Sequence, residues 1–281
     1  MKIYRRLTFL SILMVGMMFV IGSGEEETVD SDIINTHGIV ADIDILATSN
    51  STQIYADLTA KDTTDIIDLT NEQATFSVQA IDGTGEVRET EYLNYNINGY
   101  TNNATKNIYH YLANMDEYAG GITIDIALLR EDEVNAESST IILPAYLDLS
   151  IEGGVTQYSS DQEITFEWNE SDQYDVEVIG IRVDYECCYE DTQTSNTKYV
   201  TDYWIDTINL DLQADPGQKS YTLNQLVEKA GIDESVEDYD CGCEIDITIN
   251  RKNSGDVDNA FAFGSTIHAM QSDSIQVIYN P

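Results

Sequence analysis

The sequence predicts an all-β protein built as two β-sandwich, immunoglobulin-like domains, with one short helix in the second. Three observations carry this. Apolar and polar residues alternate with period 2 in many short runs, the pattern of strands with one buried face. Turn residues interrupt those runs about every 8–12 residues, the spacing of a sandwich. Tyrosines number 18 and prolines only three, and the wealth of Tyr, Ile, Thr and Val favours strands over helices.

Residues 1–24 read as a targeting segment. Lys2, Arg5 and Arg6 form a basic start, an uncharged and mostly apolar run follows over 7–21, and Gly22 and Gly24 supply the small residues of a cleavage site. The run is short for a membrane span. A cleaved signal peptide is expected, and with it a periplasmic or extracellular protein. Residues 25–37 are acidic and patternless and read as a flexible lead-in.

The first domain is expected over 38–143. Ala41, Ile43 and Ile45 alternate with Asp42 and Asp44. After a turn over 47–51, Ile54, Ala56 and Leu58 alternate with Tyr55, Asp57 and Thr59, which completes a hairpin. Phe76, Val78 and Ala80 form a third strand, stopped by Asp82-Gly83-Thr84-Gly85. Residues 86–96 suggest a fourth strand, 98–106 a polar loop and 108–112 a short strand. Ile122, Ile124, Ile126 and Leu128 are the clearest strand of this half, and 140–143 closes the unit before Pro144.

The second domain is expected over 144–281. Leu147, Leu149 and Ile151 open it, and Ile164, Phe166 and Trp168 follow. The apolar phase slips within 176–185 beside Gly180, which predicts a β-bulge. Cys187-Cys188 is read as the end of that strand. Residues 198–212 form another strand region, and Asp215-Pro216-Gly217 is a turn. Thr222 with Gln225 is a capping box. Leu223, Leu226, Val227 and Ala230 share one helix face, and Gly231 suits the end. Cys243, Ile245, Ile247 and Ile249 alternate with Glu244, Asp246 and Thr248 as a half-buried strand. Residues 251–256 carry turn chemistry, Gly264 marks a bend, and 267–279 run out as one or two strands.

The formal charge is −38; loss of the leader, with three basic and no acidic residues, takes it to −41. That sign repels nucleic acid and anionic membrane. In molar salt, where the Debye length is about 3 Å, such density is tolerated. No cofactor is expected except calcium. The candidate calcium ligands are two acidic loops, Asp233, Glu234, Glu237, Asp238 and Asp240, and Asp256, Asp258 and Asn259. Hard cations want such clustered loop oxygens, although neither loop has EF-hand spacing, and a solvated acidic surface is the simpler reading.

Cys187, Cys188, Cys241 and Cys243 allow three pairings. Export favours disulfides over a Cys₄ zinc site, whose usual spacing is absent. One member of the first pair is expected to bond to one of the second. His37, His110 and His268 show no metal spacing, and no nucleophile elbow or dinucleotide loop occurs. Tyr92, Tyr95 and Tyr100 with Asn94, Asn96 and Asn98 offer an adaptable contact surface. Three Asn-x-Ser/Thr sequences start at Asn50, Asn103 and Asn169. The function expected is an exported, non-enzymatic binding or structural module whose partner is a protein or glycan at the cell surface. No catalytic residue is assigned and no membrane insertion of the mature chain is expected. The alternative is a hydrolase that attacks carbohydrate with paired carboxylates.

Overall fold

The computed structural model describes residues 28–30, 34–48, 51–70, 73–102, 107–116, 118, 120–154, 157–158, 162–169, 178–191, 196–209, 215–222, 225 and 243–279. They are almost all strand. The first half contributes β1 (Thr28–Asp30), β2 (Ile39–Ala47), β3 (Thr52–Ala60), β4 (Ile66–Asp68), β5 (Ala74–Ile81), β6 (Val87–Tyr92), β7 (Asn94–Thr101), β8 (Ile108–Met115), β9 (Thr123–Arg130) and β10 (Ala136–Ile142). The second contributes β11 (Leu149–Ile151), β12 (Gln157–Tyr158), β13 (Glu163–Trp168), β14 (Val178–Asp191), β15 (Asn196–Asn209), β16 (Gln218–Thr222), β17 (Cys243–Ser254) and β18 (Thr266–Tyr279). Among the described residues no helix is long and apolar enough to cross a membrane.

Three sheets build two sandwiches. A large sheet runs β1-β4-β3-β2-β18-β17-β14-β15, with β8 on β3, β7 on β8 and β12 on β18; a four-stranded sheet runs β10-β9-β5-β6, and a three-stranded sheet runs β11-β13-β16. The first core lies between β2, β3 and β8 on one side and β5 and β9 on the other. Period 2 places Ile43, Ile45, Ile54 and Leu58 inward from one sheet, and Phe76, Val78, Ile124 and Ile126 from the other. Each such side chain contributes roughly 1.5–3 kcal/mol on burial. In the second sandwich Ile164, Phe166, Trp168 and Tyr221 are buried on the small sheet, and Ile245, Ile247, Ile249 and Val277 on the large one.

The large sheet is continuous across both sandwiches because β18 is long. Its first residues, from Thr266 to Gln271, pair in parallel with β2, while His268 to Tyr279 pair antiparallel with β17. Phe261, Ile267 and Ala269 therefore pack into the core formed by residues 39–143. The chain also changes sheet between β6 and β7, at buried Leu93, whose N–H donates to the Phe76 carbonyl. Tyr111 fastens the edge: its hydroxyl donates to the Ile67 carbonyl at 2.6 Å and accepts from Leu69 N–H at 3.1 Å.

Several local expectations change. The ladders of β14 with β15 and β17 run from Val178 without a register shift, so there is no bulge beside Gly180. Long pairing on both sides holds the glycine in line. The same strand continues past Cys187-Cys188 to Asp191. The single strand over 86–96 is two strands in different sheets, and the polar loop over 98–106 begins as part of β7. The turn over 251–256 is also displaced: β17 extends to Ser254, and Arg251 on it is wholly buried. Within the lead-in, Thr28–Asp30 pairs in parallel with Ile66–Asp68. The capping box forms in both directions, Thr222 N–H to Gln225 Oε1 at 3.0 Å and Gln225 N–H to Thr222 Oγ1 at 3.2 Å. The helix beyond it and the signal peptide lie outside the described residues.

Gly255 joins the two sandwiches closely. A Cβ there would overlap the Thr140 carbonyl oxygen and Ile141 Cβ, where Asp256 and Thr140 exchange two 2.8 Å backbone hydrogen bonds. Gly83, in the β5–β6 turn, has open space around it. Gly255→Ala is expected to lower unfolding stability by about 2 kcal/mol, and Gly83→Ala by far less. Urea titration of both variants checks this; equal stability of the two would contradict the close approach.

Candidate functional site

The residues with the richest chemistry share the outer face of β2, β3 and β8. Strand parity turns Asp42, Asp44, Tyr55 and Asp57 away from the core. Asp42 sits opposite Asp57, and Asp44 opposite Tyr55. Such opposed acids repel, and the neighbours answer them. Thr266 Oγ1 donates to Asp42 at 2.6 Å and Tyr109 Oη to Asp44 at 2.5 Å. Tyr55 Oη donates to Gln53 at 2.9 Å, and Gln53 Nε2 to Asn114 at 3.3 Å. Burial first, then the bond to the Asp44 carboxylate, pushes the Tyr109 hydroxyl well above its ordinary range.

Asp57 is a partly buried carboxylate of this face, its side chain 20% exposed. Its Oδ1 accepts the His110 N–H at 2.7 Å and faces His110 Nδ1 at 2.9 Å. Desolvation raises its pKa from 3.8, and the His110 hydrogen bonds oppose that rise without cancelling it. The imidazole is 7% exposed and stacks on Tyr95 with ring centroids 6.4 Å apart. An Asp–His pair serves acyl transfer only if a nucleophile meets the other ring nitrogen. Here Nε2 lies 3.7 Å from where a Cβ of Gly99 would be, so the adjacent residue carries no side chain.

Gly99 belongs to a bulge that shapes the edge. Tyr95 opposes Tyr111 and Tyr100 opposes Tyr109, so residues 96–99 stand against His110 alone. Asn96 Nδ2 donates to the Gly99 carbonyl at 3.2 Å, its Oδ1 accepts Asn98 N–H at 3.0 Å, and Gly99 has φ 70°. Ile97 in the bulge is 66% exposed, and Ile108, opposite Thr101 at the start of β8, is 59% exposed. From Asn94 to Tyr100 the Tyr/Asn-rich segment read in the sequence is thus an edge strand bulged by its own asparagines, while Tyr92 ends β6 in the other sheet.

The acidic residues singled out for calcium are only partly placed. Asp258 is a loop clasp: Oδ1 accepts Ala260 N–H at 2.8 Å and Oδ2 accepts Ser138 N–H at 3.1 Å. Asp256 bonds Thr140 through its backbone and lines a cavity of about 520 Å³ with Thr123, Thr140, Asn253 and Ser254. Among the described residues Asp256 is the one carboxylate lining that cavity. Among the described residues no three His, Cys, Asp or Glu stand together as a metal site. Asp233, Glu234, Glu237, Asp238 and Asp240 lie outside the described residues, as does Cys241. Cys187 and Cys243 are opposite one another in the β14–β17 ladder, and Cys188 is opposite Tyr199 of β15.

The sequence reading missed the strongest polar centre. Arg251 Nη2 and Nε donate to Asp215 Oδ2 at 2.8 and 3.2 Å, and Nη1 donates to the carbonyls of Tyr146 at 2.9 Å and Ala145 at 3.2 Å. Nη2 also donates to the Asn169 carbonyl. Trp168 Nε1 donates to Asp215 Oδ1 at 2.9 Å. A signal was present, since Arg251 continues the inward parity of Ile245, Ile247 and Ile249.

No known family matches this chain, and no curated protein matches it in sequence. Structural matches include the Yersinia pseudotuberculosis adhesin InvE at 10% identity and TM-score 0.22, over 87% of this chain and 61% of that one. A two-domain fibronectin type III segment of chicken tenascin matches at 10% identity and TM-score 0.21, over 86% and 99%. The first three fibronectin domains of chicken CNTN1 match at 11% and 0.24, over 91% and 68%. Likeness at this level carries no functional argument.

Two outcomes test the centres described. Asp215→Asn or Arg251→Met should each cost about 3–5 kcal/mol, because each strands a buried charge or its partners, while the double replacement Asp215→Leu/Arg251→Met should cost less than the sum. Additive losses in urea unfolding would argue against a coupled pair. Asp57, with its folded pKa raised, contributes stability that is full below 3.8 and is lost as pH rises through the folded value. Relative to Asp57→Asn, the unsubstituted protein should therefore lose stability as pH rises from acid towards neutral. Parallel stability–pH curves for the two proteins would contradict this.

Proposed function

We propose that this chain is an exported, non-enzymatic binding module that acts outside the cytoplasm. One observation carries the reading: the bulged edge strand β7 holds Ile97 out in solvent, and its neighbour β8 begins with exposed Ile108. Edge strands are ordinarily blunted with charge or covered. Here the bulge discourages strand addition, while the Ile97 side chain it exposes stands in the chain among Asn94, Asn96 and Asn98. Rigid tyrosines with short amides make an adaptable contact surface for a protein or glycan. The net charge of −38 disfavours nucleic acid and anionic lipid as partners.

The carbohydrate hydrolase reading draws less support. Such an enzyme needs two carboxyl groups about 5–9 Å apart across a cleft. Among the described residues the seam cavity presents Asp256 as its one carboxylate, and Gly99, which has no side chain, stands near His110 Nε2. The basic and apolar residues over 1–24 support export.

Mass spectrometry of the native protein is expected to find its N-terminus near Glu25; intact Met1 in membrane fractions would overturn the cleaved leader. Purified protein added to cells of its source should be retained, and Ile97→Ser/Ile108→Ser should weaken retention at least about tenfold with an unchanged melting temperature. Undiminished retention would remove this edge as the binding surface. Turnover of a panel of aryl glycosides would overturn the non-enzymatic reading.

A further inference from the structure

We propose that Cys187 and Cys243 form a disulfide that closes the end of the β14–β17 ladder. The two strands pair without interruption from Val178 opposite Lys252 to Cys187 opposite Cys243, the last rung. Residues directly opposite in an antiparallel pair have Cα atoms about 4.5 or 5.5 Å apart, according to whether the rung is hydrogen-bonded. Both separations lie within the span a disulfide bridges, about 4.4–6.8 Å. Cys188 is one residue beyond that rung and opposes Tyr199 on the other neighbour, β15. Of the possible bonds between the two cysteine pairs, the described register therefore selects Cys187 with Cys243.

The position matters because β17 begins at Cys243. A strand frays first at its ends, and this end is flanked by β18 at Tyr279, near the end of the described chain. A covalent bond on this last described rung holds β17 on β14 at the first residue of β17. It also closes a loop that includes β15 and β16, so the unfolded chain loses freedom.

Oxidation needs a disulfide donor, either oxidised glutathione or an oxidised dithiol protein. One cysteine thiolate attacks a donor sulfur and releases the first donor thiol. The second thiolate then attacks the mixed disulfide and releases the other. The Cys187–Cys243 bond forms, two thiol protons leave, and the donor disulfide is reduced by two electrons to two thiols. The bond can form in any compartment that supplies such a donor, so it stands or falls separately from the binding surface.

The test uses the full chain, reduced and then treated natively with oxidised glutathione. Cys188→Ser/Cys241→Ser retains Cys187 and Cys243. It should lose both free thiols and two hydrogen masses, and melt about 10 °C higher than its reduced form. Cys187→Ser/Cys241→Ser, which retains Cys188 and Cys243, should keep its thiols or add glutathione. Two free thiols in the first variant would overturn the proposal, as would equal closure of both variants or one zinc per chain released on acidification. Should the variants fail to fold, differential alkylation of the unsubstituted protein reads the same pair. Joined peptides that spare Cys188 support the bond, and joined peptides that spare Cys187 refute it.

Discussion

The junction of the two sandwiches depends on one guanidinium. Arg251 is wholly buried, yet it satisfies its planar fork with the Asp215 carboxylate and with carbonyls of Ala145, Tyr146 and Asn169. Those partners come from the linker after Pro144, the loop after β13 and the loop before β16, so one side chain on β17 fixes three segments that have no ladder of their own there. Lysine could not do this, because a point charge lacks the fork geometry. The net gain of a buried pair is small, but its geometry is demanding. Two neighbours follow the same logic: Asn253 Nδ2 donates to the Ile142 carbonyl at 2.9 Å and Gln271 Nε2 to the Tyr118 carbonyl at 3.1 Å. The seam is thus made of inward polar side chains that cap carbonyls of loops and of the end of β10.

The strands were legible in the sequence wherever one face is dry. Ile39–Ala47 and Thr123–Arg130 alternate cleanly, and their burial alternates with them; in Thr52–Ala60 the alternation is broken only at Tyr55, which is buried on the outer face. Legibility failed where pairing overrides composition. Asn98 to Thr101 reads as loop because bulged edge strands carry turn residues. Arg251 reads as a turn because a basic residue is not expected inside a core, and only its parity with Ile249 told otherwise. The expected bulge at Gly180 failed for the opposite reason, since uninterrupted ladders on both sides leave no slack. Of the candidate site, the Tyr/Asn segment and the cysteines were visible as composition. The Asp57–His110 pair was not, because its members lie 53 residues apart in sequence and only the β3–β8 pairing joins them.

The acidic composition is organised at short range. Asp82 shows how: its carboxylate accepts Thr84 N–H and Oγ1 and Glu86 N–H, and it meets Arg88 at 2.5 Å. These bonds hold its pKa well below the usual carboxylate range. Asp258 and Asp42 likewise spend their charge on nearby donors. The same carboxylates that keep the surface soluble therefore also close turns and brace strand neighbours.

The sharing of β18 sets the order in which the molecule can assemble. Thr266 lies beside Asp42, 224 residues away along the chain. A nascent chain that has displayed everything through residue 143 still lacks one strand of its first sheet and the Phe261 side chain of its first core. Contacts of such long range are slow to close, because the loop must be searched before any burial rewards it. Until the last strand arrives, β2 offers an unpaired edge and an incomplete apolar face, a state suited to being held by a chaperone. The first sandwich is therefore among the last parts to finish, and truncation near the C-terminus should damage the half of the molecule made first.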